Sequence, residues 1–230
     1  MKKIVFSAFA LAATIGTAAA QVEIGLKVSP SITSLRAEST SFNSFASDGS
    51  QIGFSGGLVV DYFFGENYAF STGLELAGKG GSIRYIDHLN SGGGNGNPIS
   101  VPMKISTQYL QLPLSVKLFT NEIATAARLY FQVGGSLNVP IGTRINGNKF
   151  YVDPVTGTEN GAGEYVYFID ADALLAAGAE YQLGKSTKLF AGLGYHRGLV
   201  DIEHYFERKR GFTDVTIKNS SFGLDVGIKF

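Results

Sequence analysis

Ser221-Phe222-Gly223-Leu224-Asp225-Val226-Gly227-Ile228-Lys229-Phe230 alternates strictly, with Phe222, Leu224, Val226, Ile228 and Phe230 on one side and Ser221, Gly223, Asp225, Gly227 and Lys229 on the other. A two-residue period is that of a strand with one apolar face. Such a strand at a sheet edge would leave its backbone groups and five apolar side chains unpaired, whereas a closed barrel removes the edge. The stretch therefore predicts a strand that seals a sheet by pairing with the first one.

Seven earlier segments carry the same period, within residues 22–28, 52–64, 68–76, 110–118, 129–141, 165–181 and 189–195. The sixth is the least regular, because its alanine-rich centre also suits a helix. Connections alternate in length. Those at 65–67, 120–125 and 183–186 are short, and those over 33–50, 80–104, 142–163 and 201–215 are long and polar. An up-and-down meander puts all short turns at one rim and all long loops at the other, with an even strand count, as transmembrane barrels do. The predicted fold is all-β, an eight-stranded antiparallel up-and-down transmembrane β-barrel.

Composition agrees with that class. Thirty Gly and 28 aromatic residues (11 Tyr, 17 Phe), with no Trp, disfavour a helical bundle. Cys is absent, so there is no disulfide framework. Residues 1–20 read as a cleaved signal peptide: Lys2 and Lys3, an apolar run over 4–15, then Ala18-Ala19-Ala20. Residues 21–230 are then one outer-membrane barrel domain. Without Lys2 and Lys3 the balance is 17 basic to 19 acidic residues, a net charge of −2, and no basic patch recommends nucleic acid as a partner.

Alternation alone does not say which face points outward, since a soluble ligand-binding barrel shows the same period. Three features favour apolar side chains facing lipid. The small and charged set is rich in Gly, which suits a crowded interior. Aromatics gather at strand ends like interfacial girdles, with Tyr62, Phe64, Tyr68, Phe70, Phe131, Tyr181 and Phe230 at the short-turn rim and Phe54, Tyr165, Tyr167 and Tyr195 at the other. The loop asymmetry is the third.

The inward set then holds charges of both signs, among them Glu23, Lys27, Asp61, Glu75, Lys79, Lys117, Arg128, Asp170, Asp172, Glu180, Lys188, Asp225 and Lys229. Eight strands leave an interior wide enough only for side chains, so a luminal polar network of Lys27, Asp61, Glu75, Lys117, Arg128, Glu180, Asp225 and Lys229 is expected to plug the barrel. A charged lining that conducts ions is the alternative.

Neither a cofactor nor a metal is called for, and no enzyme is expected. His204 with Asp201 or Asp214, and His88 with Asp87, are the pairs that rim catalysis would use, but no spacing orders them into a triad. The run Gly92-Gly93-Gly94-Asn95-Gly96-Asn97 lacks the Lys-Ser/Thr pair of a phosphate cradle and reads as a surface loop. Asp153, Thr156, Thr158, Glu159 and Asn160 lack calcium-loop spacing and read as a solvated turn.

The run Tyr109-Leu110-Gln111-Leu112-Pro113-Leu114-Ser115-Val116-Lys117-Leu118, the run Gly194-Tyr195-His196-Arg197-Gly198-Leu199-Val200-Asp201-Ile202 and the closing segment 221–230 resemble the outer-membrane β-barrel family of Bacteroidota, porin-family or PorT-like. The resemblance spans essentially the whole chain after the signal and specifies fold better than activity. It implies residence in the cell outer membrane and partnership with outer-membrane lipid. It also implies that the outer-membrane insertion machinery reads Phe230 as an assembly signal. The expected role is structural or one of interaction, with an unknown ligand or protein at the external loops. The alternatives are a narrow porin-like channel for small solutes and an accessory component of protein secretion across the outer membrane.

Overall fold

The structure of the protein, a computed structural model, describes residues 22–39, 44–88, 97–212 and 214–230. The expected signal peptide and most of the Gly92 to Asn97 run lie outside the described residues. Eight long strands make the wall: β1 (Val22–Ser39), β2 (Ala46–Gly65), β3 (Tyr68–His88), β4 (Pro98–Phe119), β5 (Ala127–Ile145), β8 (Asp170–Gln182), β9 (Lys188–Gly198) and β10 (Val215–Lys229). Two short strands, β6 (Phe150–Val152) and β7 (Glu159–Gly161), form a separate hairpin.

The wall is a closed ring in which every neighbour is antiparallel and next in order, and β10 returns to β1. Gly25 faces Lys229 and Leu26 faces Ile228, while the backbone of Phe230 exchanges hydrogen bonds with that of Ile24 at 2.8 and 3.2 Å. The terminal alternation thus closes the sheet as expected, and the outward apolar set is exposed, including Phe222, Leu224, Val226 and Phe230.

Two of the expected long loops, 33–50 and 80–104, are shorter than the sequence suggested, because strands occupy most of them, whereas those over 142–163 and 201–215 remain long connections. β1 runs to Ser39 and β2 starts at Ala46, and β4 is 22 residues long. About 9–11 tilted residues cross a bilayer, so these strands continue well beyond it.

β4 shows why the extensions escaped a hydrophobic reading. Its lower part turns Leu110, Leu112, Leu114 and Leu118 outward and buries Gln111, Ser115 and Lys117. Above Tyr109 the backbone alternation continues but the chemistry reverses. Pro102, Lys104 and Gln108 are exposed there, and Val101, Met103 and Ile105 are buried. The same reversal occurs on β1, where Leu35 and Ala37 point inward, and on β10, where Val215 and Ile217 do. Below the reversal the exterior meets lipid and the interior is polar; above it the exterior meets water and the interior is an ordinary apolar core.

That core joins Leu35, Ile83, Tyr85, Met103, Ile105, Ile145 and Ile217 of the wall to Tyr165, Val166, Ile202, Tyr205 and Phe206 of the covering segments. The covering segments are the β6–β7 hairpin, a 3₁₀ turn at Ala162–Tyr165 and a π-helical turn at Phe206–Arg210. Two expectations change here. The sixth barrel strand begins at Asp170, not near 165, and Tyr165 is buried in this core instead of serving in an outer girdle. The short-turn girdle holds, with Tyr62, Phe64, Tyr68, Phe70, Phe131, Tyr181 and Phe230 all exposed.

At the opposite end, the inward aromatics Phe63, Phe119, Tyr130 and Phe190 pack together. Close approach needs glycine at two positions beneath these rings. A Cβ on Gly192 would meet the Tyr130 hydroxyl at 2.3 Å, and one on Gly227 would meet the Phe190 ring at 2.4 Å.

Candidate functional site in the lumen and its cap

Every barrel strand except β3 contributes a charge to the tier nearest the short turns. Lys117 Nζ lies 3.0 Å from both oxygens of Asp61. Lys229 sits between Asp61, at 2.5 Å, and Glu180, and is 3.7 Å from Glu23. Glu180 also receives Arg128 at 2.9 Å, and Lys188 pairs with Glu23. Aromatics fill the gaps between these cations, with the Arg128 guanidinium 4.0 Å from the Phe119 ring centre. Inward placement follows from strand parity, and in a narrow barrel opposite charges on facing strands neutralise one another within hydrogen-bond reach.

A second tier lies above. Lys27 pairs with Glu75 at 2.8 Å and stands 3.8 Å from Asp225, which accepts a hydrogen bond from Ser29. Asp172 then accepts from Lys79 at 2.6 Å, Ser136 at 2.6 Å and Asn138 at 2.8 Å, and lies 2.8 Å from His196 Nδ1. Higher still, Asn219 donates to Asp170 at 2.9 Å and to the Tyr109 hydroxyl at 3.1 Å. The lumen beside Lys27, Lys79, His196 and Asp225 retains a cavity of only about 30 Å³, room for roughly two water molecules. A cavity of about 90 Å³ remains at the short-turn mouth beside Arg128, Glu180 and Lys188.

The eight residues expected in the lumen therefore fall into two tiers, with Lys117, Asp61, Lys229, Glu180 and Arg128 in one and Lys27, Glu75 and Asp225 in the other. The hub at Asp172 was missed as a unit. Lys79 and Asp172 were legible as inward charges, but their meeting across β3 and β8 depends on barrel diameter. Ser136, His196 and Asp172 bear the names of a hydrolytic triad without its geometry. Ser136 gives its proton to Asp172, and both lie on the same imidazole nitrogen, His196 Nδ1, so no base stands between acid and nucleophile.

The cap is tied down by Arg210. Its guanidinium bonds Asp153 at 2.7 Å and Asp87 at 2.5 Å, joining β3 and the segments after β5 and β9. Asp153 also accepts from the Tyr205 hydroxyl at 3.0 Å and from the amides of Val155 and Thr156. Burial would raise the Asp153 carboxyl, but these amides and Arg210 outweigh it and hold it below the usual range. In the expected solvated turn Thr156, Thr158 and Glu159 are exposed, but Asp153, 1% exposed, is a buried carboxylate staple, and Asn160 is buried beside it. Above it Phe45 stacks on Tyr85 at 5.0 Å, and Phe206 meets both edge-on.

Glu203 is the exception in this region. It accepts the amides of Phe206 and Glu207, yet burial, with Asp201 and Glu207 nearby, pushes its carboxyl up to about 7. His204 does not meet Asp201 as a catalytic pair would. Its Nδ1 donates to the Glu164 carbonyl at 3.2 Å, and its ring packs edge-on against Tyr167. Asp201 instead accepts the amides of Glu203 and Ile217, and Asp87 is engaged by Arg210. Among the described residues no cluster of His, Cys, Asp and Glu could hold a metal ion.

A closed antiparallel ring with an apolar lipid-facing band and charges inside defines the class of transmembrane β-barrels. The sequence profile of the outer membrane protein beta-barrel domain matches residues 16–203, and the chain belongs to that family, which indicates an outer-membrane location. The match ends before β10, whose place is given by its pairing with β1 and β9. No curated protein matches the chain. Similar solved structures include Neisserial surface protein A, 13% identical with a TM-score of 0.46 over 92% of this chain and 98% of that one. OprG from Pseudomonas aeruginosa is 9% identical with a TM-score of 0.47, over 92% and 97%. Ail of Yersinia pestis, solved with the heparin analogue sucrose octasulfate, is 11% identical with a TM-score of 0.36, over 91% and 99%.

Proposed function

We propose that the protein is a non-conducting outer-membrane barrel whose role is structural or one of interaction, presenting a rigid, self-packed platform outside the membrane. The observation that carries this reading is the reversal of polarity along the strands, which seats an apolar core directly over the polar lumen. A transport path would need continuous polar space, and an apolar core of side chains in contact offers none. The paired luminal charges and the small cavities below the core support the same reading. A ligand or protein partner would meet the wet outer face of the extended strands and the covering segments.

Planar-bilayer recording of the refolded protein tests the reading. The expected trace has no discrete conductance steps. Reproducible unitary steps from folded wild-type protein would establish the narrow-channel alternative in its place.

A further inference from the structure

Three outward cations stand together at the outer edge of the apolar band. Arg36 on β1 is directly opposite Lys218 on β10, and Arg197 on β9 is opposite Ser220, two residues along β10 from Lys218. Directly opposed side chains have Cβ atoms about 5 Å apart, and like charges so placed repel. No carboxylate lies within salt-bridge distance of any of the three among the described residues, whereas Arg84, outward on β3, is paired with Asp48. One Arg36 Nη donates to the Gly198 carbonyl at 2.7 Å, and its Nε is buried without a partner. The nearest acids stop short of ion-pair contact: Asp201 feels the charge of Lys218 but accepts two backbone amides, and Glu38 is the next outward residue on β1, diagonal to Lys218.

The cations lie at headgroup depth. The last outward apolar residues below them are Ile32 on β1 and Phe222 on β10, with Tyr195 facing Phe222 on β9. Below Arg197, extending across β9 and β8 toward β5 and bordered by Phe222 of β10, runs an apolar groove of about 470 Å³. It exists because β8 offers small side chains such as Ala177 between the bulkier Phe131, Leu193, Tyr195 and Phe222. The groove's upper end is Tyr195 and Phe222, and the next outward pair is Arg197 and Ser220, with the Tyr195 hydroxyl 3.4 Å from Ser220 Oγ.

We propose that Arg36, Arg197 and Lys218 bind the phosphate of an outer-leaflet glycolipid, one of whose acyl chains lies in the groove below. A phosphate relieves the Arg36–Lys218 repulsion and takes charge-assisted hydrogen bonds from both guanidinium groups. An apolar slot continuous with a cationic cluster fits a phosphorylated lipid and not a free anion, which would leave the slot unused.

The test is native mass spectrometry of the full chain in detergent, with phosphorylated lipid A, dephosphorylated lipid A and inorganic phosphate as probes. Wild type should retain phosphorylated lipid A about tenfold more strongly than the dephosphorylated form, in line with charge-assisted hydrogen bonding. The R36Q/R197Q/K218Q triple variant should reduce that ratio to about one, and Ala177→Phe should weaken both lipids while keeping the ratio. R84Q should leave everything unchanged. An unaltered ratio in the triple variant overturns the proposal, as does an equal loss in R84Q, which would mean diffuse attraction only. Displacement of the lipid by equimolar inorganic phosphate would assign the cluster to a free anion and overturn the lipid. Unaltered binding in Ala177→Phe would remove the groove from the site. Folding is checked by heat-modifiable gel migration; should the triple variant fail it, Arg197→Gln alone, at an exposed position, should lower the ratio measurably, and no change would refute the site.

Discussion

Lys229 Nζ lies 2.5 Å from Asp61 Oδ2, joining β10 to β2 across the intervening β1. The pair is buried, and it meets Lys117 on the Asp61 side and Glu180 on the Lys229 side, so closure of the ring and neutralisation of the lumen are one event.

Replacing Lys229 by Met leaves Asp61 and Glu180 facing each other with one cation fewer. Breaking a buried pair by removing one partner costs about 3–5 kcal/mol. Urea unfolding of refolded protein in detergent, followed by tyrosine fluorescence, should show a lower midpoint. Asp61→Asn in the same background should recover part of the loss, and strictly additive effects would mean the two groups are not coupled.

Glu203 should make the cap sensitive to pH. Its folded value of about 7 lies above the ordinary 4.5, so between these values the folded cap binds more protons than the opened one. Stability is therefore complete below about 4.5 and falls as pH rises through about 7, by a few kcal/mol at most. Protection factors of the amides after β9, taken against intrinsic exchange at each pH, should be larger at pH 5.5 than at pH 8. Glu203→Gln, which does not titrate and whose amide oxygen keeps an acceptor for the Phe206 amide, should flatten the difference.

Phe206 is the hub of the aromatic cluster over the lumen, in contact with Phe45, Tyr85, Tyr165, Tyr205 and Phe212. Phe206→Ala should cost the cap about 3–5 kcal/mol. Limited proteolysis should then cut within 199–214 while the barrel keeps its heat-modifiable migration. Unchanged protease resistance would argue that the cap is held by Arg210 and the hairpin alone.

Deleting Phe230 should lower the amount of protein reaching the outer membrane more than the stability of barrels refolded in detergent. The backbone of Phe230 bonds Ile24, and its side chain is exposed on the lipid face, where it stabilises little. Quantifying the membrane fraction of expressed wild type and deletion decides between an assembly role and a merely structural one.

The lower half of the barrel was legible because its alternation couples to a single environment. On 110–118 and 221–230 every Leu, Val, Ile and Phe is on the outward parity, which places Lys117, Asp225 and Lys229 inside. The upper half was not, although the backbone alternates through all 22 residues of β4. There the apolar residues Val101, Met103 and Ile105 are on the opposite parity, so a search for one continuous apolar face ends at Leu110 and leaves a loop. Tyr165 was misread for a related reason. An aromatic at a strand end looks the same whether it faces a membrane interface or a core beyond it.

By itself, then, the sequence determined the strand period, the strand count, the closing pair and the sign of the charges inside, because side-chain direction in a strand follows from parity alone. Which of those charges meet, such as Lys79 with Asp172, was decided only by tertiary structure, as was the meeting of Arg210 with Asp87 and Asp153 outside that set. So was the placing of Arg36 beside Lys218 on the outer face. The reason is physical: parity gives a direction, whereas partners across a barrel depend on its diameter, its stagger and the fold of the segments that cover it.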